Sequence, residues 1–235
     1  MNFDQPLLEG KLVRRYKRFL ADVELADGAV ITAHTPNTGS MLGCCEPGSR
    51  VWLTESANPK RKYRHGWELV EAEPGVLVGI NTGRANALVE EAITTGILGE
   101  LQDYPELRRE VRYGSENSRI DILLHGGERP ECYVEVKNVT LAEDGIARFP
   151  DAVSTRGSKH LRELAGVRRD GRRAAIVFCV QRGDVSEFRP ADAIDAAYGD
   201  ALRQATAEGV EALAYRARVS ETGVRLEAPL PVVLP

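Results

Sequence analysis

Along the first eighty residues, apolar and polar positions alternate in short runs. EGKLVRRY, RFLADVEL, AVITAHT, RVWLTES, YRHGWELVEAE and GVLVGIN each carry the two-residue period of a half-buried strand. ADG, PNTG, EPGS, ANPK and EPG separate them, and these residue types favour turns. Short strands with such regular punctuation predict a small barrel or sandwich, with an OB-type barrel preferred. A barrel of that type would present a face to nucleic acid.

The period then lengthens. In GRANALVEEAITTGIL, Leu88, Val89, Ala92, Ile93 and Ile97 fall at helical spacing. RREVRYG, SRIDILLHGG and ECYVEVKNVTL read as strands, with HGGERP turning the last two into a hairpin. STRGSKHLRELAGVRRDG reads as a helix, RAAIVFCVQRG as a buried strand, and PADAIDAAYGDALRQATAEGV as helices. EALAYRARVS and GVRLEAPLPVVL close the chain as strands. The pattern predicts an α+β chain of two domains, residues 1–80 and 81–235, the second a mixed α/β unit.

CYVEVKNVTL puts a glutamate and a lysine two apart in a strand that otherwise reads as buried. Glu135 and Lys137 share one face, and Val134 and Val136 the other. An unpaired buried charge is costly, so the pair must neutralise itself or be used. Asp121, flanked by Ile120 and Ile122 in the preceding strand, could lie beside it in the hairpin. Facing carboxylates in such a hairpin, about 4 to 5 Å apart, repel unless a cation lies between them. Hard oxygen ligands of this kind suit Mg²⁺ or Mn²⁺, so Asp121 and Glu135 are candidate metal ligands. A lysine on the same face could stabilise charge developing on a phosphate. Together they describe metal-assisted phosphodiester hydrolysis. A solvated salt-bridge ladder, with Glu135 paired to Lys137 or Arg119, is the competing arrangement.

Charge distribution adds partners to this picture. The net charge of −4 argues against a basic coat protein, yet two basic clusters with aromatics stand out in the barrel region. The first holds Arg14, Arg15, Lys17 and Arg18, and the second Lys60, Arg61, Lys62 and Arg64. Such residues contact phosphates, while Tyr16, Tyr63 and Trp67 are candidate stacking platforms for bases. In RGSKHLREL, Arg156, Lys159 and His160 form a basic stripe on the predicted helix, beside an equally available reading as its solvated face. HTPNTGSM is a polar turn whose Gly39 would let backbone approach a ligand; it has no Walker lysine. No helix-turn-helix pattern is evident, so DNA binding through backbone contacts is expected.

The four cysteines form no C-x-x-C pair, and neither a secretory signal nor a run of about 18 apolar residues occurs. A cytoplasmic protein with reduced thiols, off the membrane, is expected. The pattern leaves a homo-oligomer open.

SRIDILL, CYVEVKNVTL and FPDAVSTRGSKHLREL, together with HTPNTGSM and PKRKYRHGWELV, resemble blocks of the sugar fermentation stimulation protein A family. The resemblance runs through essentially the whole chain. It implies an OB-like N-terminal domain and a C-terminal domain similar to PD-(D/E)XK nucleases, in a DNA-binding family linked to regulation of sugar, notably maltose, use. It puts Asp121, Glu135 and Lys137 at the three motif positions. Nucleases of that kind often add an acidic residue from a preceding helix. Here Glu90 and Glu91 qualify, and Glu91 is preferred because the core side of the helix should be apolar.

Overall fold

A computed structural model describes residues 1–114 and 118–235. Strands β1 (Leu8–Tyr16), β2 (Leu20–Leu25), β3 (Val30–His34), β4 (Arg50–Glu55) and β5 (His65–Glu73) fall where the strand runs predict them, although β2, β4 and β5 are buried over three or four successive residues and not on one face alone. They run in the order β3-β2-β1-β4-β5 and close when β3 pairs with the start of β5 through Ala33–His65 and His34–Gly66. β6 (Val76–Gly79) pairs with the far half of β5. The result is a five-stranded closed barrel, which leaves no free edge where it closes. Leu12, Val23, Val51, Leu53 and Trp67 fill it. Trp67 is fully buried and its indole N–H donates to the Leu69 carbonyl at 2.8 Å, so it belongs to the core and cannot be a stacking platform.

The chain then continues through α1 (Ala85–Thr94), β7 (Glu106–Tyr113), β8 (Ser118–His125), β9 (Cys132–Val139), β10 (Ala142–Glu143), β11 (Ile146–Phe149), α2 (Thr155–Arg169), β12 (Arg173–Val180), β13 (Glu187–Pro190), α3 (Asp192–Ala207), β14 (Glu211–Ser220) and β15 (Gly223–Leu230). A six-stranded sheet runs β15-β14-β12-β9-β8-β7. Its centre, β9, β12 and β14, is parallel, and the outer strands are antiparallel. The central strands are therefore apolar on both faces, as in RAAIVFCV, where every residue after Arg173 is buried.

Two layers cover this sheet. α2 and α3 pack on one face through Leu161, Leu164, Tyr198 and Leu202. On the other, α1 packs with Leu88, Val89 and Ala92, joined by Trp52 and Leu69 from the outside of the barrel. The barrel is also tied on by backbone: the Gly79 N–H donates to the Gln181 carbonyl at 2.8 Å. Strands β10, β11 and β13 form a small third sheet that the alternation pattern does not predict. Among the described residues no helix is long and apolar enough to cross a membrane.

Candidate functional site

The site begins where two strands part. The β8–β9 ladder pairs Ile122, Leu123 and Leu124 with Val134, Tyr133 and Cys132. Ile122 and Leu124 pack on the α1 side of the sheet, but Ile120 packs on the α2 side. Residues two apart in a regular strand share a face, so β8 changes face at Asp121. There the Asp121 side chain replaces the ladder. Its Oδ2 accepts from the Val136 N–H at 2.8 Å, and its Oδ1 accepts from Asn86 Nδ2 on α1 at 2.9 Å. Both carboxylate oxygens are thus aimed by fixed donors.

β9 points Tyr133, Glu135, Lys137 and Val139 toward α2, the alternation expected from its sequence. Glu135 is only 3% exposed. Its Oε1 receives two donors, Lys137 Nζ at 2.6 Å and the His160 Nδ1 of α2. Its Oε2 is buried with no hydrogen-bond partner. Burial pushes the Glu135 carboxyl up, but His160 and Lys137 outweigh it and hold the group below the usual carboxylate range. Asp121 moves the other way: burial, then the Glu135 charge, raise it against the opposing pull of the Val136 N–H, Asn86 and Lys137. The two carboxylates therefore feel one another, and they lack one positive partner between them.

These groups line a cleft of about 420 Å³ shared by both domains. Asn37, Thr38 and Gly39 of the barrel form one wall, and Asp151, Ser154, Arg156 and Gly157 the other. The walls meet where Ser40 Oγ donates to the Asp151 carbonyl at 2.5 Å and the Met41 N–H donates to Asp151 Oδ2 at 3.0 Å. A side chain at position 39 would put Cβ 2.7 Å from Asp151 Oδ2, so only glycine allows this approach. Helix α2 starts at the cleft, with Ser154 Oγ accepting from the Gly157 N–H at 3.1 Å. Gly157 also lets Tyr198 pack against that first turn, since a Cβ there would lie 2.9 Å from the Tyr198 ring.

Asp121, Glu135, Lys137, Arg156 and His160 are thus brought together, and the salt-bridge ladder on a solvated face is not what forms. Glu91 is not brought there. It pairs with the Met1 amino group at 2.7 Å and faces β15 through a separate cavity containing Arg225. Glu90 pairs with Arg109 of β7. The helix face toward Asp121 is held by Asn86, so a polar residue sits where an apolar one was expected. Lys159 lies half-buried on α2.

In the first basic cluster the three arginines bond within the barrel, and Lys17 is exposed. Arg14 pairs with Asp22 at 2.8 Å and lies over the Tyr16 ring. Arg15 donates to the carbonyls of Arg18, Asn37, Gly39 and Ser40 at 2.7, 3.0, 2.9 and 3.4 Å. Arg18 donates twice to the Thr38 carbonyl. β1 ends at Tyr16, and Lys17 and Arg18 turn with φ of 50° and 64°, so the basic alternation stops there. In the second cluster Arg64 pairs with Glu55 at 2.8 Å and Lys62 lies over Tyr63, while Lys60, Arg61 and Lys62 are exposed on the β4–β5 loop.

Three contributors escaped the sequence reading: Asn86, Asp151 and Arg148, which also lines the cleft. Asp151 follows FP in a block whose length was legible, but its partners, the Ser40 hydroxyl and the Met41 N–H, lie more than 100 residues away. Among the described residues no three His, Cys, Asp or Glu side chains gather at metal-ligand spacing. Asp121 and Glu135 are a pair, which fits an ion such as Mg²⁺ that keeps several waters and takes only one or two carboxylates.

Comparison with known proteins gives the same division. Residues 13–80 match the model of the SfsA N-terminal OB domain, and residues 83–223 match the sugar fermentation stimulation protein RE domain. The sugar fermentation stimulation protein homolog of Thioalkalivibrio sulfidiphilus is 64% identical over 235 residues, covering 100% of this chain and 98% of that one. The homolog of Alkalilimnicola ehrlichii is 59% identical, with 100% of both chains covered. A solved structure, SfsA of Pyrococcus furiosus in complex with Ca²⁺, superposes with a TM-score of 0.89 at 31% identity, over 99% of this chain and 98% of that one. A barrel and a mixed α/β domain meeting over a cleft, with matches of this extent to both halves, make this chain a member of the sugar fermentation stimulation protein family.

Proposed function

We propose that this chain is a DNA-binding protein whose cleft hydrolyses phosphodiester bonds with a divalent metal, Mg²⁺ or Mn²⁺, on a PD-(D/E)XK-like scaffold. The carrying observation is the meeting of Asp121, Glu135 and Lys137 in one cleft, with Glu135 Oε2 buried and without a partner. Asp121 and Glu135 would hold the ion, a reading supported by the Ca²⁺ complex of the Pyrococcus furiosus relative. The ion would offset their repulsion and polarise a phosphate oxygen.

The chain's own residues do the rest. Asn86 and the Val136 N–H fix the rotamer of Asp121, so its oxygens need no reorganisation when substrate arrives. Lys137 sets its Nζ 2.6 Å from Glu135, where it can stabilise charge gathering on the phosphate. Arg156, Arg148 and the start of α2 offer donors to the backbone. Lys60, Arg61 and Lys62 extend the electrostatic footprint across the barrel.

A second reading, a DNA-binding regulator that does not cut, is favoured by one feature: Lys137 already pairs with Glu135, and His160 meets the same oxygen, without an ion. In either case the family links the protein to sugar use. The test is incubation with circular single-stranded and supercoiled DNA in Mg²⁺, Mn²⁺ or EDTA. Metal-dependent cleavage that disappears in both Asp121→Ala and Glu135→Ala supports hydrolysis. DNA binding without cleavage under every condition transfers the protein to the second reading.

A further inference from the structure

Glu135 is held by a chain of two residues on α2. His160, 5% exposed, turns its Nδ1 to Glu135 Oε1. Its Nε2 lies 3.3 Å from Arg156 Nε. An arginine Nε–H can only donate, so Nε2 must accept. The ring hydrogen then sits on Nδ1 and is donated to Glu135. Arg156 thereby selects the tautomer in which His160 is a donor to the carboxylate. The positions are four apart on one helix, which stacks the two side chains on the same face.

The oxygen that His160 occupies matters. Lys137 and His160 both bind Oε1, and neither binds Oε2. Two donors on one oxygen fix the carboxylate plane and leave the other oxygen as the only one able to take a new partner. Lys137 sits on a flexible four-carbon stem and can follow a moving carboxylate. The imidazole is rigid and packed at the base of α2, so His160 is the donor that sets the orientation.

We infer that His160, backed by Arg156, is a positioning residue that presents Glu135 Oε2 to a divalent cation, and that it is not itself a nucleic-acid contact. The inference rests on the metal-dependent reading above. Partners behind a metal ligand fix its orientation, and losing them costs about 10–100-fold in metal affinity. Arg156 reaches the ion only through two bonds, so its loss costs less than that of His160.

Calorimetric titration of full-length protein with Mn²⁺, and separately Ca²⁺, tests this. His160→Leu removes the donor at similar bulk and is expected to weaken Mn²⁺ binding about tenfold or more. His160→Asn puts an amide N–H near the Nδ1 position and is expected to recover most of that loss. Arg156→Ala should fall between wild type and His160→Leu. Melting temperature in EDTA and DNA affinity in EDTA are measured for each variant. A His160→Leu protein that keeps its DNA affinity but loses Mn²⁺ affinity supports the inference. Equal Mn²⁺ affinity in wild type and His160→Leu overturns it and leaves the metal reading standing. His160→Leu and His160→Asn equally impaired in proportion to lowered melting temperature also overturns it, in favour of a packing role. Wild-type protein that binds neither ion overturns both the inference and the metal reading.

Discussion

The barrel hairpin and the β9 strand carry similar densities of charge in the sequence and use them in opposite ways. Around the hairpin, Arg14, Arg15 and Arg18 are taken up by Asp22 and by loop carbonyls, so their donors are spent on holding the barrel loop in shape. In β9, Glu135 is buried against a half-buried Lys137, yet one carboxylate oxygen is left over and the Asp121 carboxyl beside it is pushed up. A count of charges does not separate the two cases. What separates them is whether the partners cancel locally. The hairpin arginines shape the cleft wall, and the β9 pair, with Asp121, forms its floor.

The largest expected effect is at the floor. Lys137→Met should lower metal-dependent cleavage about 10²–10³-fold, the usual cost of losing one preorganised charge, in an assay with Mn²⁺ and supercoiled DNA. Its melting temperature should fall as well, because Lys137 is the cation beside the buried Glu135 carboxylate and its loss leaves that charge uncompensated.

At the wall the expectation is reversed. Arg15→Ala should destabilise the fold by about 2 kcal/mol in urea unfolding, since several carbonyls lose a charged donor at once. Its effect on DNA affinity should then be small in the salt dependence. Lys60→Ala and Lys62→Ala should do the opposite, leaving stability unchanged and each reducing the salt slope of DNA binding by about one. If Arg15→Ala instead changes the slope at constant stability, the contrast drawn here fails.

Two smaller effects lie outside the cleft. Glu91→Gln breaks the Met1 ion pair, and should cost under about 1 kcal/mol with cleavage unaffected, because both partners are partly exposed. Burial raises the Asp184 carboxyl, but the two hydrogen bonds from Arg182 outweigh it and hold the group below its ordinary value of 3.8. A depressed folded value stabilises above the unfolded one and loses that contribution as pH falls through the folded value. Unfolding measured below about pH 4 should therefore show a drop in stability that Asp184→Asn lacks.

The barrel strands were legible because turn signals separate short runs rich in apolar residues, as ADG does between β2 and β3. The meeting of Asp121 with Glu135 and Lys137 was legible from the β8–β9 hairpin, whereas the break in β8 that turns the Asp121 side chain onto the Val136 N–H was not. β10, β11 and β13 were not, because strands of two to four residues with Pro190 in one of them have no period to detect. The choice between Glu90 and Glu91 failed on a physical assumption. An apolar core side is expected of α1, but its Asn86 face meets the polar break at Asp121 and its Glu91 face meets Met1. Arg15 and Asp151 were illegible as wall residues, since their partners are backbone groups whose position only the folded loops define.

The most direct measurement is anomalous diffraction from crystals of this protein soaked in Mn²⁺. The account predicts a peak in the cleft within ligand distance of Asp121 and of Glu135 Oε2, absent from Glu135→Gln crystals grown the same way. A wild-type cleft with no peak at saturating Mn²⁺, or a peak held by other residues, would contradict it.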